Sequence, residues 1–215
     1  MPANIPSRLD KGVDEMINYH SIETKENNLL YGPGKRLVLF TQGCGLKCPG
    51  CSNWRLWERG KGENLDPREL ANRCESPDVE GLTLHGGEPT EQTEELLPAV
   101  EKIKDMGKSV ILLTGREIEE LQDDSMQREL LTRCDIVKCG RYVKERQNLF
   151  LHFRGSDNQR VIINPEGALK NYQIKDGTNT VLIAFDKENG SINVNGMVDE
   201  EMQKLLAEYA ELNMA

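Results

Sequence analysis

The sequence predicts an α/β protein built around a parallel β-sheet. Apolar strand segments alternate with helical segments between residues 35 and 140, a pattern typical of strand–helix–strand units with right-handed crossovers. The predicted strands of this stretch end in glycine or in a cysteine-rich loop. Because ligands bind beyond the C-terminal ends of the strands in such sheets, these stretches predict one shared binding site.

Composition limits the class of protein. The 215 residues carry a net charge of −9, with 37% hydrophobic and 29% charged residues, as in ordinary globular domains. The acidic balance disfavours nucleic acid and anionic membranes as partners. Because the chain has no apolar run of about 18 residues and a polar N-terminus, we expect a cytoplasmic protein without a membrane partner. Six cysteines in such a chain indicate metal or redox chemistry rather than disulfides.

The N-terminal part of the chain predicts an arm followed by two strands. Residues 1–14 are expected to form a loose arm, and residues 16–22 begin with the alternating polarity of a short strand. Residues 27–35 predict a loop with glycine and proline turn chemistry. Residues 35–41 predict a strand whose apolar middle indicates cover on both faces.

Later segments continue the alternation. They are predicted from apolar runs and from capping signals, such as Asp66 followed by Pro67 in the first helical turn and Thr90 before the next helix. The predicted helices span residues 66–74, 90–106, 117–121 and 125–132, and the predicted strands span residues 81–85, 109–114, 135–139, 150–153 and 160–164.

The C-terminal part predicts a β-hairpin over residues 180–195 and an amphipathic helix over residues 198–212. The chain is therefore expected to comprise an N-terminal arm with a short strand at 1–31, a core at 32–163 and a C-terminal extension of hairpin plus helix at 164–215.

The strongest chemical signal is a loop with three cysteines, Cys44, Cys48 and Cys51, spaced C-x3-C-x2-C and separated by glycine and proline. Thiolates at this spacing suit zinc or an iron–sulfur cluster. The motif offers three ligands where both groups usually take four, so a four-iron cluster would keep one iron open. A zinc site with a distant fourth ligand is the alternative.

A second signal follows the next predicted strand, where Gly86, Gly87 and Glu88 precede Pro89. Paired glycines let the backbone approach a ligand closely, and they also suit a strand-to-helix turn. Glu88 could accept a charge-assisted hydrogen bond from a ligand's ammonium group or serve as a polar anchor.

Three motifs together resemble a known family: the cysteine loop, His85-Gly86-Gly87-Glu88-Pro89, and Arg154-Gly155-Ser156-Asp157-Asn158-Gln159. The first two resemble the cluster loop and GGE motif of radical S-adenosylmethionine (SAM) enzymes. The third resembles the activating proteins of anaerobic, class III ribonucleotide reductases. The resemblance covers about residues 32–163. It implies a partial open (β/α) barrel, to which the C-terminal hairpin and helix are an extension.

The resemblance also implies a site. It makes Cys44, Cys48 and Cys51 the ligands of one [4Fe–4S] cluster whose open iron chelates the amino and carboxylate groups of SAM. Contacts with SAM are implied for Gly50, Ser52, Asn53, Gly86, Gly87, Glu88, Thr114 and Arg141. Gly50 replaces the aromatic residue that many radical SAM enzymes place before the third cysteine. An ordinary surface arginine is the alternative for Arg141.

The implied function is reductive cleavage of SAM to a 5′-deoxyadenosyl radical that generates a glycyl radical on a large partner. An anaerobic ribonucleoside-triphosphate reductase is the expected partner, and a flavodoxin or ferredoxin-type protein is the expected reductant. Two alternatives stay open: a radical SAM enzyme that acts on another glycyl radical enzyme or a peptide, and a non-enzymatic iron–sulfur or zinc-binding regulator.

The other cysteines, Cys74, Cys134 and Cys139, are too widely spaced for a second cluster and are expected to be buried and structural. The segment from Arg154 to Gln159 could be a simple polar turn, but the resemblance favours a role at the active-site mouth or in partner docking.

Overall fold

The computed structural model describes residues 16–28, 30–177, 182–185, 192–195 and 204. The predicted N-terminal arm and nearly all of the predicted C-terminal helix lie outside this part of the chain. The strands are β1 Ile17–Asn28, β2 Gly32–Thr41, β3 Glu63–Leu65, β4 Gly81–Gly86, β5 Ser109–Leu113, β6 Ile136–Cys139, β7 Arg160–Ile163, β8 Leu182–Phe185 and β9 Ile192–Asn195. The α-helices are α1 Pro67–Arg73, α2 Thr93–Asp105, α3 Ile118–Asp123 and α4 Ser125–Arg133, and 3-10 turns span Trp54–Leu56, Pro89–Gln92 and Lys144–Arg146.

Seven strands form one mixed sheet in the order β3-β1-β2-β4-β5-β6-β7. Strands β2, β4, β5 and β6 run parallel, which confirms the prediction of a parallel sheet for this stretch. Antiparallel strands flank this parallel centre, with β1 between β2 and β3 on one side and β7 beside β6 on the other. Strands β8 and β9 pair antiparallel as a separate two-stranded sheet. Closure into a partial barrel and the three-part division of the chain stay predictions.

Three local sequence signals misplaced an element or its boundary, and a fourth was correct. Residues 150–153 form bends and turns, so the predicted strand there is wrong. Thr90 does not cap α2, because its backbone N–H donates to the Glu88 side chain and a 3-10 turn precedes the helix. Strand β1 continues to Asn28, beyond the predicted end at residue 22, because it pairs with β2 from Tyr19 to Asn28. Asp66 caps α1 as predicted, accepting a hydrogen bond from Arg68 N.

The two faces of the sheet bury different sets of side chains. One face packs under α1, α2 and α4 and includes Leu37, Leu39, Leu82, Leu84, Val110, Leu112 and Val137. The opposite face, here called the inner face, carries Val38, Phe40, Ile111, Leu113 and Ile136. The split follows from the strand period of two, which sends alternate side chains to opposite faces. Within the described residues, no helix is long and apolar enough to cross a bilayer.

The inner face is closed at the N-terminal ends of its strands by Arg36, which is almost completely buried. Its guanidinium donates to Thr83 Oγ1 at 2.9 Å, to Ser109 Oγ at 2.7 Å and to the Leu82 carbonyl at 2.8 Å. Burial lowers the pKa of Arg36 to about 10, so it stays a cation at neutral pH. These hydrogen bonds compensate for the desolvation of the charge. Because Arg36 closes the N-terminal ends of the strands, the inner face is open at their C-terminal ends.

Asp135 holds three segments together from a fully buried position before β6. Its carboxylate accepts hydrogen bonds from Val110 N at 2.7 Å and Ala168 N at 2.6 Å, and it pairs with Lys104 Nζ at 2.7 Å. The contacts join β5, α2 and the chain that follows β7.

We predict that Asp135→Ala lowers the free energy of unfolding by about 3 kcal/mol, because it leaves buried N–H groups and an ammonium without their acceptor. Urea denaturation of the apoprotein measures this loss. Asp78→Ala is the matched control, since the Asp78 side chain is 74% exposed and lies 3.7 Å from Lys35. That change should cost less than about 0.5 kcal/mol. Equal losses in the two variants would contradict the structural role of Asp135.

Candidate functional site

The C-terminal ends of the parallel strands surround a cavity of about 310 Å³. The three cysteines of the loop after β2 all line it. Of the other residues expected at the site, those that line the cavity are Ser52, Asn53, Gly86, Gly87 and Glu88. Gly50, Thr114 and Arg141 are not among its lining residues. The structure therefore brings the cysteine motif and the GGE motif to one cavity, as the position of both at strand ends predicts.

Backbone hydrogen bonds fold the cysteine loop back on itself. Cys44 N donates to the Trp57 carbonyl at 3.0 Å, and Cys51 N donates to the Cys48 carbonyl at 3.1 Å. Burial raises the pKa of the Cys44 and Cys51 thiols, while N–H donors from the same loop oppose the shift. At Cys44 these donors are the backbone N–H groups of Leu46 and Lys47. Donors of this kind stabilise thiolate ligands and tune a bound cluster.

The donor set fits an iron–sulfur cluster. The three thiols are free and half-buried on one cavity wall. Within the described ranges, no three cysteine, histidine or acidic side chains are grouped so as to hold a single metal ion. A multi-iron cluster is bound differently, because each thiolate ligates a separate iron. Cys74, Cys134 and Cys139 lie in the core under the helices, which confirms that they are buried.

The GGE segment, Gly86-Gly87-Glu88, forms backbone hydrogen bonds to the end of β2 and to the start of the cysteine loop. Gly87 N donates to the Thr41 carbonyl and Glu88 N to the Gly43 carbonyl, both at 2.8 Å. A Cβ atom on Gly87 would lie 2.1 Å from the Gly43 oxygen, so only glycine permits this approach. Asn53 Nδ2 donates to the Gly86 carbonyl at 3.3 Å. The glycines thus serve the turn itself and also border the cavity.

Glu88 is a fully buried polar anchor. Its Oε1 atom accepts hydrogen bonds from Thr90 N at 3.1 Å, Thr90 Oγ1 at 2.6 Å and Thr114 Oγ1 at 2.7 Å. Its Oε2 atom accepts one from Gly115 N at 2.8 Å. The carboxylate therefore joins the ends of β4 and β5. The Thr114 hydroxyl also accepts from Arg116 N at 3.0 Å, so its hydrogen bonds lie within the protein.

Two further predicted contacts lie beside the cavity. Arg141 forms a bidentate pair with Glu120, with nitrogen–oxygen distances of 3.0 and 3.1 Å. Gly50 has a φ of +73°, and a Cβ atom there would lie 3.1 Å from the Lys144 side chain. Their roles toward SAM stay predictions.

Sequence reasoning missed Lys138, which lines the cavity from β6. Its ammonium donates to the Thr114 carbonyl at 3.1 Å. The sequence did hold a signal for it, because Lys138 is a charged residue in an otherwise apolar strand. Strand alternation places it on the same face as Ile136, which is the inner face. A single lysine belongs to no motif, so pattern matching passes over it.

His85 also lines the cavity, with its ring 5.7 Å from that of Tyr31 and 5.2 Å from that of Phe40. Burial, and secondarily the charge of Lys138, lower the pKa of His85 to about 3. The imidazole is therefore neutral at physiological pH and forms part of an aromatic wall.

The segment from Arg154 to Gln159 is a wall of the cavity as well as a tight turn. Arg154, Gly155 and Gln159 line the cavity beside Phe153, whose φ is +63°. Gln159 holds the turn, since its Oε1 accepts from Gly155 N and its Nε2 donates to the Gly140 carbonyl, both at 2.7 Å. Arg154 pairs with Asp176.

His152 attaches this wall to the segment that follows β7. Its Nδ1 atom accepts a hydrogen bond from Lys175 N at 3.0 Å, and its Nε2 atom lies 3.1 Å from the Tyr172 hydroxyl. Because Nδ1 is an acceptor, the neutral ring carries its proton on Nε2. Burial lowers the pKa of His152, and the nearby Asp176 carboxylate acts in the opposite direction.

The chain is similar in sequence to proteins of known family. The family model described as a 4Fe-4S single cluster domain matches residues 30–162. The anaerobic ribonucleoside-triphosphate reductase-activating protein of Enterobacteria phage T4 is 36% identical over 146 residues, which cover 65% of this chain and 90% of that protein. The protein of the same name from Haemophilus influenzae is 33% identical over 141 residues, which cover 61% of this chain and 90% of that protein.

A solved structure, QueE from Escherichia coli, has a TM-score of 0.38 and 17% identity, covering 46% of this chain and 53% of that one. This likeness is too slight to define the fold. The family is assigned from the sequence matches instead. The chain belongs to the 4Fe-4S single cluster domain family, and its relatives in that comparison are anaerobic ribonucleoside-triphosphate reductase-activating proteins. The family resemblance carried by the three motifs is thereby confirmed.

We predict that Glu88→Gln destabilises the apoprotein by about 2 kcal/mol, because either orientation of the amide places its NH2 group against a backbone N–H, that of Thr90 or that of Gly115. Urea denaturation measures the loss. Glu94→Gln, on an exposed position of α2, is the matched control and should change stability by less than about 0.5 kcal/mol. An unchanged midpoint in Glu88→Gln would contradict the anchoring role.

His152 predicts a dependence of stability on pH. Since its pKa is lower in the folded state than the ordinary value of about 6.5, the unfolded chain takes up a proton that the folded ring does not. The stability contribution is present above about pH 6.5 and is lost as the pH falls toward the folded-state pKa. Below pH 6.5, the slope of the unfolding free energy against pH should be smaller in His152→Gln than in the wild type. The difference should correspond to the uptake of up to one proton on unfolding. Identical slopes in the two proteins would refute this.

Proposed function

We propose that the protein is a radical SAM enzyme whose [4Fe–4S] cluster is held by Cys44, Cys48 and Cys51. The observation that carries the proposal is the meeting of these thiols and the GGE segment at one cavity, in a chain of the 4Fe-4S single cluster domain family. In the described part of the chain no fourth cysteine lines that cavity, which is consistent with a cluster that keeps one iron for a second ligand.

SAM is the proposed second ligand. When bound, the reduced cluster supplies the electron that cleaves a sulfur–carbon bond of SAM to give methionine and a 5′-deoxyadenosyl radical. Glu88 is fully buried and its carboxylate is held by four protein donors, so its negative charge at the cavity wall, rather than a free oxygen, would favour the ammonium group of SAM. Gly50, Ser52 and Asn53 are proposed to face the adenine, and Gly86, Gly87, Thr114 and Arg141 complete the proposed contacts.

Aromatic and aliphatic side chains would keep water from the reacting atoms. The cavity walls include Tyr31, Phe40, Leu46, Leu113 and Phe153. Excluding water protects a reactive radical from side reactions. The core proposed for this chemistry is residues 32–163, with residues 1–31 and 164–215 as additions to it.

The proposed substrate is a glycine residue of a large partner, whose hydrogen atom passes to the 5′-deoxyadenosyl radical. The relatives are named for the anaerobic ribonucleoside-triphosphate reductase that they activate, so we infer a reductase of this kind as the partner. A flavodoxin or ferredoxin-type protein would supply the electron.

The test is anaerobic reconstitution with iron and sulfide, followed by dithionite and SAM and by chromatography for 5′-deoxyadenosine. We predict that the wild type forms 5′-deoxyadenosine and that Cys44→Ala, Cys48→Ala and Cys51→Ala each reduce its formation at least a hundredfold. Cys74→Ala is the matched control, since this thiol lies in the core under the helices, and it should retain wild-type turnover.

The partner is tested separately by adding an anaerobic reductase and recording the glycyl radical by electron paramagnetic resonance. A wild-type protein that binds a four-iron cluster but forms no 5′-deoxyadenosine, even with the reductase present, would refute the proposed function. Formation of 5′-deoxyadenosine without a radical on the reductase would refute the proposed partner alone.

A further inference from the structure

Lys138 places a positive charge on the cavity wall that the proposed binding of SAM does not use. It lies on β6 between Val137 and Cys139, whose side chains are buried under the helices. Strand alternation therefore places Lys138 on the inner face, where it lines the cavity together with the three cysteines of the loop. The parallel pairing of β5 with β6 fixes its position, with Leu113 as its register partner.

The ammonium group of Lys138 has donors to spare. It carries three N–H bonds, and in the described part of the chain it donates one of them to the Thr114 carbonyl at 3.1 Å. None of the ion pairs found among the described residues includes Lys138. Glu88, the acidic side chain of the same cavity, already accepts four hydrogen bonds from other donors. The charge of Lys138 thus faces the cavity without a carboxylate paired to it.

Lys138 is partly buried, and a partly buried charge that forms no ion pair among the described residues points to an anionic occupant of the cavity. Burial lowers the pKa of Lys138, while the charges of Glu88, Cys139, Cys48 and Cys51 act in the opposite direction, in that order of size. The three cysteines of the loop line the same cavity as Lys138, which places the loop within electrostatic reach of the ammonium. A cluster held by three thiolates is itself an anion and gains one more negative charge on reduction.

We propose that Lys138 is a positioning charge that stabilises the reduced state of the cluster and so sets its reduction potential. The inference rests on the cluster binding of the proposed function, but not on SAM cleavage. A fixed positive charge in a poorly solvated cavity favours the more negative state of a nearby redox centre. The step itself is a one-electron reduction in which the external donor, dithionite in the test, loses the electron that the cluster gains.

The experiment is a redox titration of the reconstituted cluster without SAM, followed by electron paramagnetic resonance, on wild type and four variants. Lys138→Gln removes the charge and keeps a donor for the Thr114 carbonyl, and Lys138→Met removes both. Lys138→Arg keeps the charge. Lys102→Met is the matched control, because it removes the same charge from the outer surface of α2, where Lys102 pairs with Glu75 at 3.1 Å. Iron content is measured for each protein.

We expect both neutral variants to have more negative midpoint potentials. At the wild-type midpoint, the ratio of reduced to oxidised cluster should fall at least tenfold, which is about 59 mV for one electron. Lys138→Arg should stay near the wild type. Lys102→Met should be unchanged, because solvent and salt screen exposed charges. If both neutral variants fold but lose the cluster while Lys138→Arg keeps it, the result also supports the inference, because the cluster's negative charge then requires a positive charge at residue 138.

Other outcomes would overturn the inference. Unchanged midpoint potentials of the cluster in Lys138→Gln and Lys138→Met would overturn it. If these two variants also bound SAM more weakly than the wild type, Lys138 would be assigned to binding the SAM carboxylate instead. Loss of the cluster in all three Lys138 variants would assign the residue a packing role. A wild type that takes up no cluster would overturn both proposals. If the Lys138 variants shift the potential while the wild type cleaves no SAM, only the proposed function fails.

Discussion

The site depends on the way the buried carboxylate of Glu88 joins two strand ends. Four hydrogen bonds hold it between Thr90, Thr114 and Gly115, and its own backbone N–H binds the Gly43 carbonyl beside the cysteine loop. A buried carboxylate is tolerated only when such donors satisfy it. The ends of β2, β4 and β5 are therefore fixed relative to one another, and the cavity takes its shape from them.

Charge is distributed unevenly along the inner face. Arg36 closes the N-terminal ends of the strands with its guanidinium bonded to protein acceptors, whereas Lys138 lies at the C-terminal ends beside the cavity. The first cation is satisfied by the protein and acts as structure. The second retains donors for an occupant. The apolar side chains between them, among them Val38, Ile111 and Ile136, separate the two charges.

The parallel centre of the fold could be predicted because its strands are short, apolar and bounded by glycine, so that local sequence alone defines them. The same signals misplaced a strand at residues 150–153, where the chain turns around His152. They also missed β3, which is three residues long and pairs with β1. Strands were predicted at residues 16–22 and 160–164, where β1 and β7 lie, but their antiparallel pairing was not foreseen, because the pairing of distant segments leaves no periodic signal in either one.

By itself, the sequence determined the chemistry: three thiols at a fixed spacing, glycines where two backbones approach, and loops at strand ends that parallel pairing brings together. Tertiary structure decided which other side chains reach the cavity. Lys138 does because the pleat of β6 sends it to the inner face and sends Cys139 to the other. Arg141, two residues beyond, pairs with Glu120 of α3 beside the cavity. These outcomes depend on strand register and on partners distant in sequence, which no local motif encodes.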